Sequence, residues 1–238
     1  MTLKRIIKIT VGIVIFMTLP SLLLFGFIYF KYNEDLPTGV KGAHADQLAT
    51  KMLNALDYQA YENTNLIEWT YKKRRHYKWK KKDFKCTVYW EDYKVELNLE
   101  NNNLHKAYIH NFKVDGDQAT KLITKAINYF NNDAFWLVAP YKVFDDGTER
   151  QIVTLENGEQ GLLVTHTSGG FTPGDSYLWL LDNDYKPRAF KMWTSALPIQ
   201  GLEASWTDWT ITESKAQLPT FHKILILGIE IHDVTGIN

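Results

Sequence analysis

The chain has 238 residues, of which 45% are apolar, and its 27 Lys and Arg balance its 27 Asp and Glu. A formal net charge of zero excludes a global field that would attract nucleic acid or an acidic partner, so such binding would need a local patch. The single cysteine, Cys86, excludes an intramolecular disulfide framework, and the length beyond an N-terminal segment suits one domain with its own core.

Residues 1–32 predict a membrane anchor. The run from Ile9 to Phe30 is uncharged, and as a helix it is long enough for a hydrocarbon layer of ~30 Å. A cleaved signal peptide is the rival interpretation, but no small-x-small cleavage site follows the run, and no cysteine follows it for a lipid anchor. Because Lys4, Arg5 and Lys8 precede the run, the positive-inside rule predicts a cytosolic N-terminus, a single pass through the inner membrane and a domain in the periplasm.

Residues 33–43 predict a short flexible tether, because Pro37, Gly39 and Gly42 interrupt a stretch without apolar periodicity. Residues 44–238 form the predicted domain, which opens on an amphipathic helix with apolar residues at i, i+3, i+4, i+7, i+8 and i+11. These residues are Ala45, Leu48, Ala49, Met52, Leu53 and Leu56. The stripe predicts packing against a sheet.

From Leu66 the apolar period changes to two, which is typical of strands. The first predicted hairpin carries aromatic residues at odd positions and basic residues at even positions, so it has an aromatic face and a basic face. A second amphipathic helix is predicted from Asp115, with Gln118 as its capping-box partner. Its apolar stripe consists of Ala119, Leu122, Ile123, Ala126, Ile127 and Phe130.

The C-terminal half predicts further strands. Residues 135–140 are apolar and end at a proline, which predicts a buried connection. The pair Asn157-Gly158 predicts a tight hairpin, and residues 161–193 predict three strands with bulky side chains on both faces. One long strand over 202–211 and an apolar segment over 221–234 bring the count to ten or eleven strands. Short connections make the sheet antiparallel and the fold class α+β.

The order of these elements resembles the LolA/LolB-like periplasmic lipoprotein carriers over residues 44–234. The resemblance implies a sheet curved into an unclosed barrel, with helices covering its concave side. Three segments, IEWTYKKRRHYKW, FWLVAPYKVFDDGTER and TSGGFTPGDSYLWLLD, also resemble an uncharacterised family of exported or membrane-anchored proteins common in Bacteroidota. That family has no assigned activity. The carrier fold implies binding of a lipid or acyl chain, while the predicted tether departs from soluble carriers, which must leave the membrane.

Aromatic side chains that could line the concavity are the predicted ligand-binding residues. They are Trp69, Tyr77, Trp79, Phe171, Trp179, Trp193 and Trp206. Phe171 belongs to the Gly- and Pro-containing loop 168–175, where it would form an apolar rim. Core packing under the helices is the alternative role for the tryptophans, and an ordinary hairpin loop is the alternative for 168–175.

A basic segment forms a second predicted surface, because residues 72–85 hold nine Lys or Arg and one acid. We predict that Lys78, Lys80, Lys81 and Lys82 face anionic headgroups of the membrane that tethers the domain. A solvated strand face is the alternative. Binding of nucleic acid is not predicted, because the alternation places the cations on one hairpin face and leaves the rest of the chain acidic.

The sequence contains no recognised catalytic or metal-binding signature. No histidines show a ligand spacing such as HxH or HExxH, and the acidic turns 145–147 and 182–184 lack the downstream Glu of a Ca²⁺ loop. Neither a metal nor a cofactor is therefore predicted.

The predicted function is a non-catalytic, membrane-anchored envelope protein that binds an apolar or amphipathic ligand such as a lipid or acyl chain. An envelope domain for protein–protein interaction, or scaffold, is the alternative, with an unknown partner. A hydrolase is a third possibility, in which Ser168 or Ser176 would act with His166 and Asp175. The sequence lacks the G-x-S-x-G nucleophile elbow that is typical of many hydrolases.

Overall fold

A computed structural model of the protein describes residues 2–168 and 173–238. Within these ranges the helices are α1 (Leu3–Tyr32), α2 (Ala43–Ala55), α3 (Tyr58–Asn63) and α4 (Gly116–Val138). The strands of the first half are β1 (Val40–Lys41), β2 (Leu66–Tyr71), β3 (Arg75–Lys80), β4 (Lys85–Trp90), β5 (Tyr93–Asn98), β6 (Lys106–Ile109) and β7 (Phe112–Val114). Those of the second half are β8 (Thr148–Thr154), β9 (Gln160–His166), β10 (Ser176–Leu181), β11 (Pro187–Trp193), β12 (Leu202–Ser205), β13 (Thr207–Ile211), β14 (Gln217–Ile224) and β15 (Leu227–Ile237).

Helix α1 is long and apolar enough to cross a membrane, by length and composition. None of its residues is fully buried in the domain. Its C-terminal turns nevertheless contact the domain core through the partly buried side chains of Ile28 and Tyr32. Helix α1 therefore ends against the folded domain.

The strands form one antiparallel, curved and unclosed sheet. Its order is β1-β8-β9-β10-β11-β12-β14-β15-β2-β3-β4-β5-β6-β7, with β13 paired to β14. Strand β15 pairs with both β14 and β2, so the last strand of the chain joins the N-terminal and C-terminal halves of the sheet. The predicted α+β class and antiparallel sheet are confirmed.

The strand count of 15 exceeds the predicted ten or eleven for physical reasons. Strands β1 and β7 have only two and three residues, too few to show a period. The single strand predicted over 202–211 is divided at Trp206 into β12 and β13. Helix α3 was not predicted either, because six residues are too few to show a helical period. Asp57 caps its first turn by accepting a hydrogen bond from the Ala60 N–H at 3.2 Å.

Two local predictions, the buried connection over 135–140 and the capping box at Asp115, are corrected. Residues 135–138 are the last turn of α4, and Ala139–Lys142 form a 3₁₀ turn, where Pro140 lies among the first residues and needs no N–H donor. The capping box at α4 is absent, because the Asp115 side chain forms no capping bond and instead pairs with Lys113 at 3.0 Å.

The segment predicted as a flexible tether is held against the sheet. The Glu34 carboxylate contacts Lys191 Nζ at 2.7 and 2.8 Å, and the Glu34 carbonyl accepts from the Trp193 indole at 2.9 Å. Farther on, β1 pairs with β8, and a Cβ on Gly39 would lie 2.7 Å from Gln151 Cβ. Only glycine fits so close an approach. The linker is therefore an ordered part of the domain.

The bulky residues on both faces of strands β9 to β11 are confirmed as two separate buried clusters. Inward-facing Leu162, Trp179 and Phe190 belong to the main core, which α2 and α4 cover. Outward-facing Leu163 and Leu178 belong to a second cluster on the opposite face. All six residues of the predicted α2 stripe are buried in the domain.

Candidate functional site

The predicted concavity is filled by aromatic side chains. Trp69 stacks on Tyr77 with ring centroids 4.5 Å apart, and Trp79 packs edge-on against Phe130 of α4 at 5.5 Å. These three sheet residues are buried. The structure thus brings the predicted residues of β2 and β3 together, in contact with the helix that covers them.

The predicted residues of the second half form an adjoining cluster. Trp179 and Trp206 meet edge-to-face at 5.1 Å, and Trp206 stacks with Trp136 of α4 at 6.2 Å. The indole N–H groups of Trp69 and Trp206 find no acceptor among the described residues. Burying such a donor costs roughly 1–3 kcal/mol, so apolar packing of these rings outweighs that cost. A ligand between them would have to displace α4.

Two of the predicted ligand-binding residues do not join this arrangement. Trp193 lies in the outward cluster, on the face opposite Trp179, because it occupies the other parity of β11. Its indole N–H is committed to Glu34 of the linker. Phe171 lies outside the described residues.

A buried ion pair closes one end of the concave core. Arg75 of β3 binds Asp133 of α4 through Nε at 2.6 Å and Nη2 at 3.0 Å, and the Tyr77 hydroxyl donates to the same carboxylate at 2.6 Å. Burial beside Asp133 raises the pKa of Tyr77, and the same carboxylate raises the pKa of Arg75, so the tyrosine stays neutral and the arginine charged. The guanidinium also lies over the rings of Tyr71 and Tyr129, at 4.9 and 4.3 Å. The cluster fastens α4 to the sheet.

A buried histidine makes a second link between α4 and the sheet. His222 of β14 has Nε2 2.7 Å from the Trp136 carbonyl and Nδ1 3.0 Å from the Ser205 carbonyl. Both carbonyls favour the charged ring, but burial dominates and lowers the pKa of His222 to about 4. The neutral ring donates one hydrogen bond to one of the two carbonyls.

The residue types of a hydrolase do not form a triad in the described chain. Ser176 Oγ lies 2.8 Å from Thr165 Oγ1, and Asp175 accepts from Thr194 Oγ1 at 2.7 Å. Burial lowers the pKa of His166, but in the described ranges no side-chain hydrogen bond joins His166 to Asp175, Ser176 or the other candidate nucleophile, Ser168. The arrangement fixes the end of β10.

The predicted membrane-surface lysines are divided by the hairpin. Lys78 and Lys80 face outward, with Lys78 paired to Glu68 at 3.2 Å, and Lys82 is exposed in the turn. Lys81 instead turns onto Tyr61, with Nζ 3.5 Å from the ring centroid and bonded to its carbonyl, and burial lowers its pKa to about 8. Lys81 is therefore not available as one of four surface cations.

The β3–β4 turn lies at the end of the sheet opposite the C-terminus of α1. Alternate turns of an antiparallel sheet lie at one end, and the linker binds the β11–β12 connection through the Glu34 N–H and the Gln200 carbonyl at 3.0 Å. Because each strand from β11 to β3 runs antiparallel to its neighbour in the sheet, the β14–β15 and β2–β3 turns lie at the same end of the sheet as the β11–β12 connection. The β3–β4 turn occupies the opposite end.

An open groove of about 690 Å³ lies at the ends of β5 and β6. Its outward wall holds polar residues of β3 to β5. They are Lys78, Lys80, Lys85, Thr87, Glu96 and Asn98. Its apolar wall lies on the core side and reaches the N-terminal half of α4. Those residues are Leu97, Ala107, Val114, Ala119 and Ile123.

The groove carries five lysines against two carboxylates. Both carboxylates already have partners, since Glu96 pairs with Lys94 and Asp115 with Lys113, each at 3.0 Å. The lysines left without a carboxylate within 4.0 Å in the described chain are Lys80, Lys85 and Lys106. They give this groove a positive potential beside an apolar wall.

A histidine shapes the end of the groove. His105 Nδ1 accepts from the Asn98 N–H at 3.1 Å, which places the ring proton on Nε2 in the neutral tautomer. Burial lowers the pKa of His105 and so favours that neutral form. Lys85, Lys106 and His105 were not predicted, because only the register of β4, β5 and β6 brings them together. Outward lysines on successive strands were the available signal.

In the described ranges no three His, Cys, Asp or Glu side chains come together in a way that could hold a metal ion. No protein-family model and no curated protein matches this chain. The structure is similar to the crystal structure of a DUF1329 family protein from Desulfovibrio piger, with a TM-score of 0.43 and 8% identity over 81% of this chain and 92% of that chain. No conclusion about function follows at this similarity. The resemblances to lipoprotein carriers and to a Bacteroidota family stay predictions.

Proposed function

We propose that the chain is a membrane-anchored protein of the cell envelope whose domain binds an amphipathic, anionic ligand of the lipid or acyl-chain class and performs no chemistry on it. The observation that carries this proposal is the groove at the ends of β5 and β6, where unpaired lysines border an apolar wall. Because the tryptophan-lined concavity is filled, we assign the ligand site to this edge of the sheet and not to its centre.

The groove suits both parts of such a ligand. A phosphate or carboxylate head would contact Lys80, Lys85 and Lys106, because charge-assisted hydrogen bonds from ammonium groups are the strong ones. An acyl chain would lie along the exposed Leu104 and the half-buried Ala119 and Ile123. The volume of about 690 Å³ falls within the range of about 300–1,000 Å³ that small-molecule sites occupy.

The proposed location is the inner membrane, with α1 as a single pass and the domain in the periplasm. Support comes from the apolar length of α1 and from Lys4, Arg5 and Lys8 on its N-terminal side. In this arrangement the domain stays tethered to the membrane that holds α1. The groove lies at the opposite end of the sheet, with the β3–β4 turn, so it would receive or present a lipid on the side that faces away from that membrane.

Native mass spectrometry of the detergent-extracted full-length protein tests the ligand. We expect a co-purifying anionic lipid or fatty acid, and roughly tenfold or greater loss of occupancy in Lys80→Gln/Lys85→Gln/Lys106→Gln, since each charge-assisted bond is worth about 1.5–3 kcal/mol. The matched control, Lys121→Gln/Lys215→Gln/Lys223→Gln, removes the same charge from exposed sites outside the groove. Consistently empty wild-type protein, or equal loss in both triple variants, would count against the proposal.

A domain for protein–protein contact is the second candidate, and the filled concavity favours it. A sheet whose concave face is closed by α2 and α4 has only its outer surfaces to offer a partner. Cross-linking in membranes separates the two functions. A discrete cross-linked partner that persists in the Lys80→Gln/Lys85→Gln/Lys106→Gln variant would support the contact role.

A further inference from the structure

We infer that the domain makes a second membrane contact, in which the β14–β15 turn and the neighbouring β2–β3 turn dock onto the anionic bilayer that holds α1. The inference rests on the anchored arrangement proposed above. It does not depend on a ligand in the groove.

The β14–β15 turn is apolar where such turns are normally polar. Ile224 pairs with Leu227, which leaves Leu225 and Ile226 as a two-residue turn. Leu225 has φ 52°, in the left-handed region where Gly or Asn is normal, and Ile226 is 92% exposed. Leu227, the next residue, is 65% exposed. Leu225 is partly buried against the core, but its backbone conformation is unfavourable for leucine, while Ile226 and Leu227 expose apolar side chains to water. Burial of Ile226 and Leu227 in a lipid surface would remove the cost of that exposure.

The adjacent β2–β3 turn supplies positive charge. The Lys72 N–H donates to the Glu230 carbonyl of β15 at 2.9 Å, so the two turns are neighbours. Lys72 and Lys73 have φ 49° and 54°, again in the region that favours Gly or Asn. Lys72, Lys73 and Arg74 are exposed and form no ion pair with any described residue. Three free cations beside an apolar tip are typical of contact with anionic lipid headgroups.

The linker places these turns at the membrane. Asn33 Oδ1 accepts from the Gln200 N–H at 2.9 Å, so the chain leaves α1 directly against the β11–β12 connection. Strand β12 pairs with β14 through Ala204 and Ile224, and the β14–β15 turn follows immediately at the same end of the sheet. Continuity with α1 therefore identifies the bilayer, rather than a protein, as the occupant of this surface.

Acidic side chains near this end limit the contact. Glu230 of β15 is exposed and lies 3.1 Å from His232, so the contact is confined to the tips of the two turns. Glu91 and Asp92 form the next turn, between β4 and β5, and Asp92 lies 3.6 Å from His110 of the β6–β7 hairpin. These carboxylates would be repelled by anionic headgroups. The contact is therefore assigned to the β14–β15 and β2–β3 turns, and it excludes the β4–β5 turn.

The test uses full-length protein in vesicles of phosphatidylcholine and phosphatidylglycerol, with an environment-sensitive NBD label on Ile226→Cys. The native Cys86 is 1% exposed and is protected from labelling in the folded protein. We expect a blue-shifted emission and quenching by doxyl lipids. Lys82→Cys, in the β3–β4 turn, is the matched control and should keep an aqueous emission.

Three further samples make the outcome decisive. Lys72→Gln/Lys73→Gln/Arg74→Gln, or vesicles of phosphatidylcholine alone, should abolish the blue shift at Ile226→Cys. Leu227→Cys repeats the measurement if Ile226→Cys folds poorly. An aqueous emission at both positions, in protein that resists carbonate extraction, overturns the second contact alone. Release of the protein by carbonate overturns both this inference and the proposed anchor, whereas loss of lipid from the groove leaves it standing.

Discussion

At the scale of single residues, Asp133 holds α4 onto the sheet. Its carboxylate is 0% exposed and accepts two hydrogen bonds from Arg75 and one from Tyr77. Asp133→Asn leaves the guanidinium without its counter-charge, so we expect the free energy of unfolding to fall by roughly 3 kcal/mol. Urea unfolding of the protein in detergent, followed by tryptophan fluorescence, measures this.

The control for that substitution is Asp146→Asn, which removes an exposed carboxylate that takes part in no ion pair in the described chain. Its unfolding midpoint should stay near that of the wild type. If Asp133→Asn were equally mild, the ion pair would contribute little to the attachment of α4.

His222 predicts a specific acid sensitivity. Its folded pKa of about 4 lies below the ordinary 6.5, so between these values the unfolded chain binds a proton that the folded chain does not. The stabilisation linked to the neutral His222 ring is fully present above pH 6.5 and is lost as the pH falls towards 4. In total this lowers the free energy of unfolding by about 3 kcal/mol. Unfolding midpoints measured from pH 7 to pH 4.5 should therefore decrease more steeply for the wild type than for His222→Gln.

The comparison with His222→Gln separates the contribution of His222 to the pH dependence of stability from that of the carboxylates, because both proteins contain the same carboxylates. His44→Gln, on the exposed face of α2, should follow the wild-type slope. Parallel slopes for wild type and His222→Gln would show that burial of the ring is not linked to proton uptake in this range.

At the scale of elements, the linker is held by contacts that can be removed separately. Glu34→Ala eliminates the contacts to Lys191 but leaves the Trp193 indole bonded to the backbone, and Trp193→Phe removes the latter. We expect amide hydrogens of residues 33–41 to exchange about tenfold faster in the double variant, because a local opening costs less when each bond is lost. The free energy of global unfolding should change little after Glu34→Ala alone, because that variant removes only a contact of the linker.

Glu159→Ala is the matched control for Glu34→Ala, because it breaks the exposed pair with Arg188 at 3.3 Å and touches no part of the linker. Exchange in residues 33–41 should not change in this variant. If exchange of residues 33–41 in the double variant were as slow as in the wild type, β1 pairing and the close packing of Gly39 would suffice to hold the linker.

The elements that could be predicted from the sequence are those with a long local period. The stripe from Ala45 to Leu56 marks α2, and alternation from Leu66 marks the hairpin of β2 and β3, because 3.6 and 2 residue periods are local properties. The order of the linker was hidden, since its partners Lys191 and Trp193 lie about 160 positions along the chain, and Pro and Gly are equally common in mobile and docked segments.

The candidate site depended on information that a period does not contain. Aromatic alternation correctly places Trp69 and Trp79 on one face, but a filled core and an open pocket require the same residues there. Only the position of α4 distinguishes them. The groove escaped prediction because Lys85 and Lys106 become neighbours through strand pairing, and Trp193 was assigned to the wrong face because its parity on β11 was not applied.

At the scale of the whole molecule, the proposed anchoring predicts opposite accessibility for the N-terminus and for the domain. In intact cells with a permeabilised outer membrane, Lys82→Cys should react with a membrane-impermeant maleimide, whereas Lys8→Cys should react only after lysis. Burial raises the pKa of the Cys86 thiol well above its ordinary value, so the native cysteine stays silent in both variants. The expected asymmetry follows from Lys4, Arg5 and Lys8 remaining in the cytosol. Labelling of Lys8→Cys before lysis, with Lys82→Cys protected, would reverse the predicted topology and place the groove on the cytosolic side.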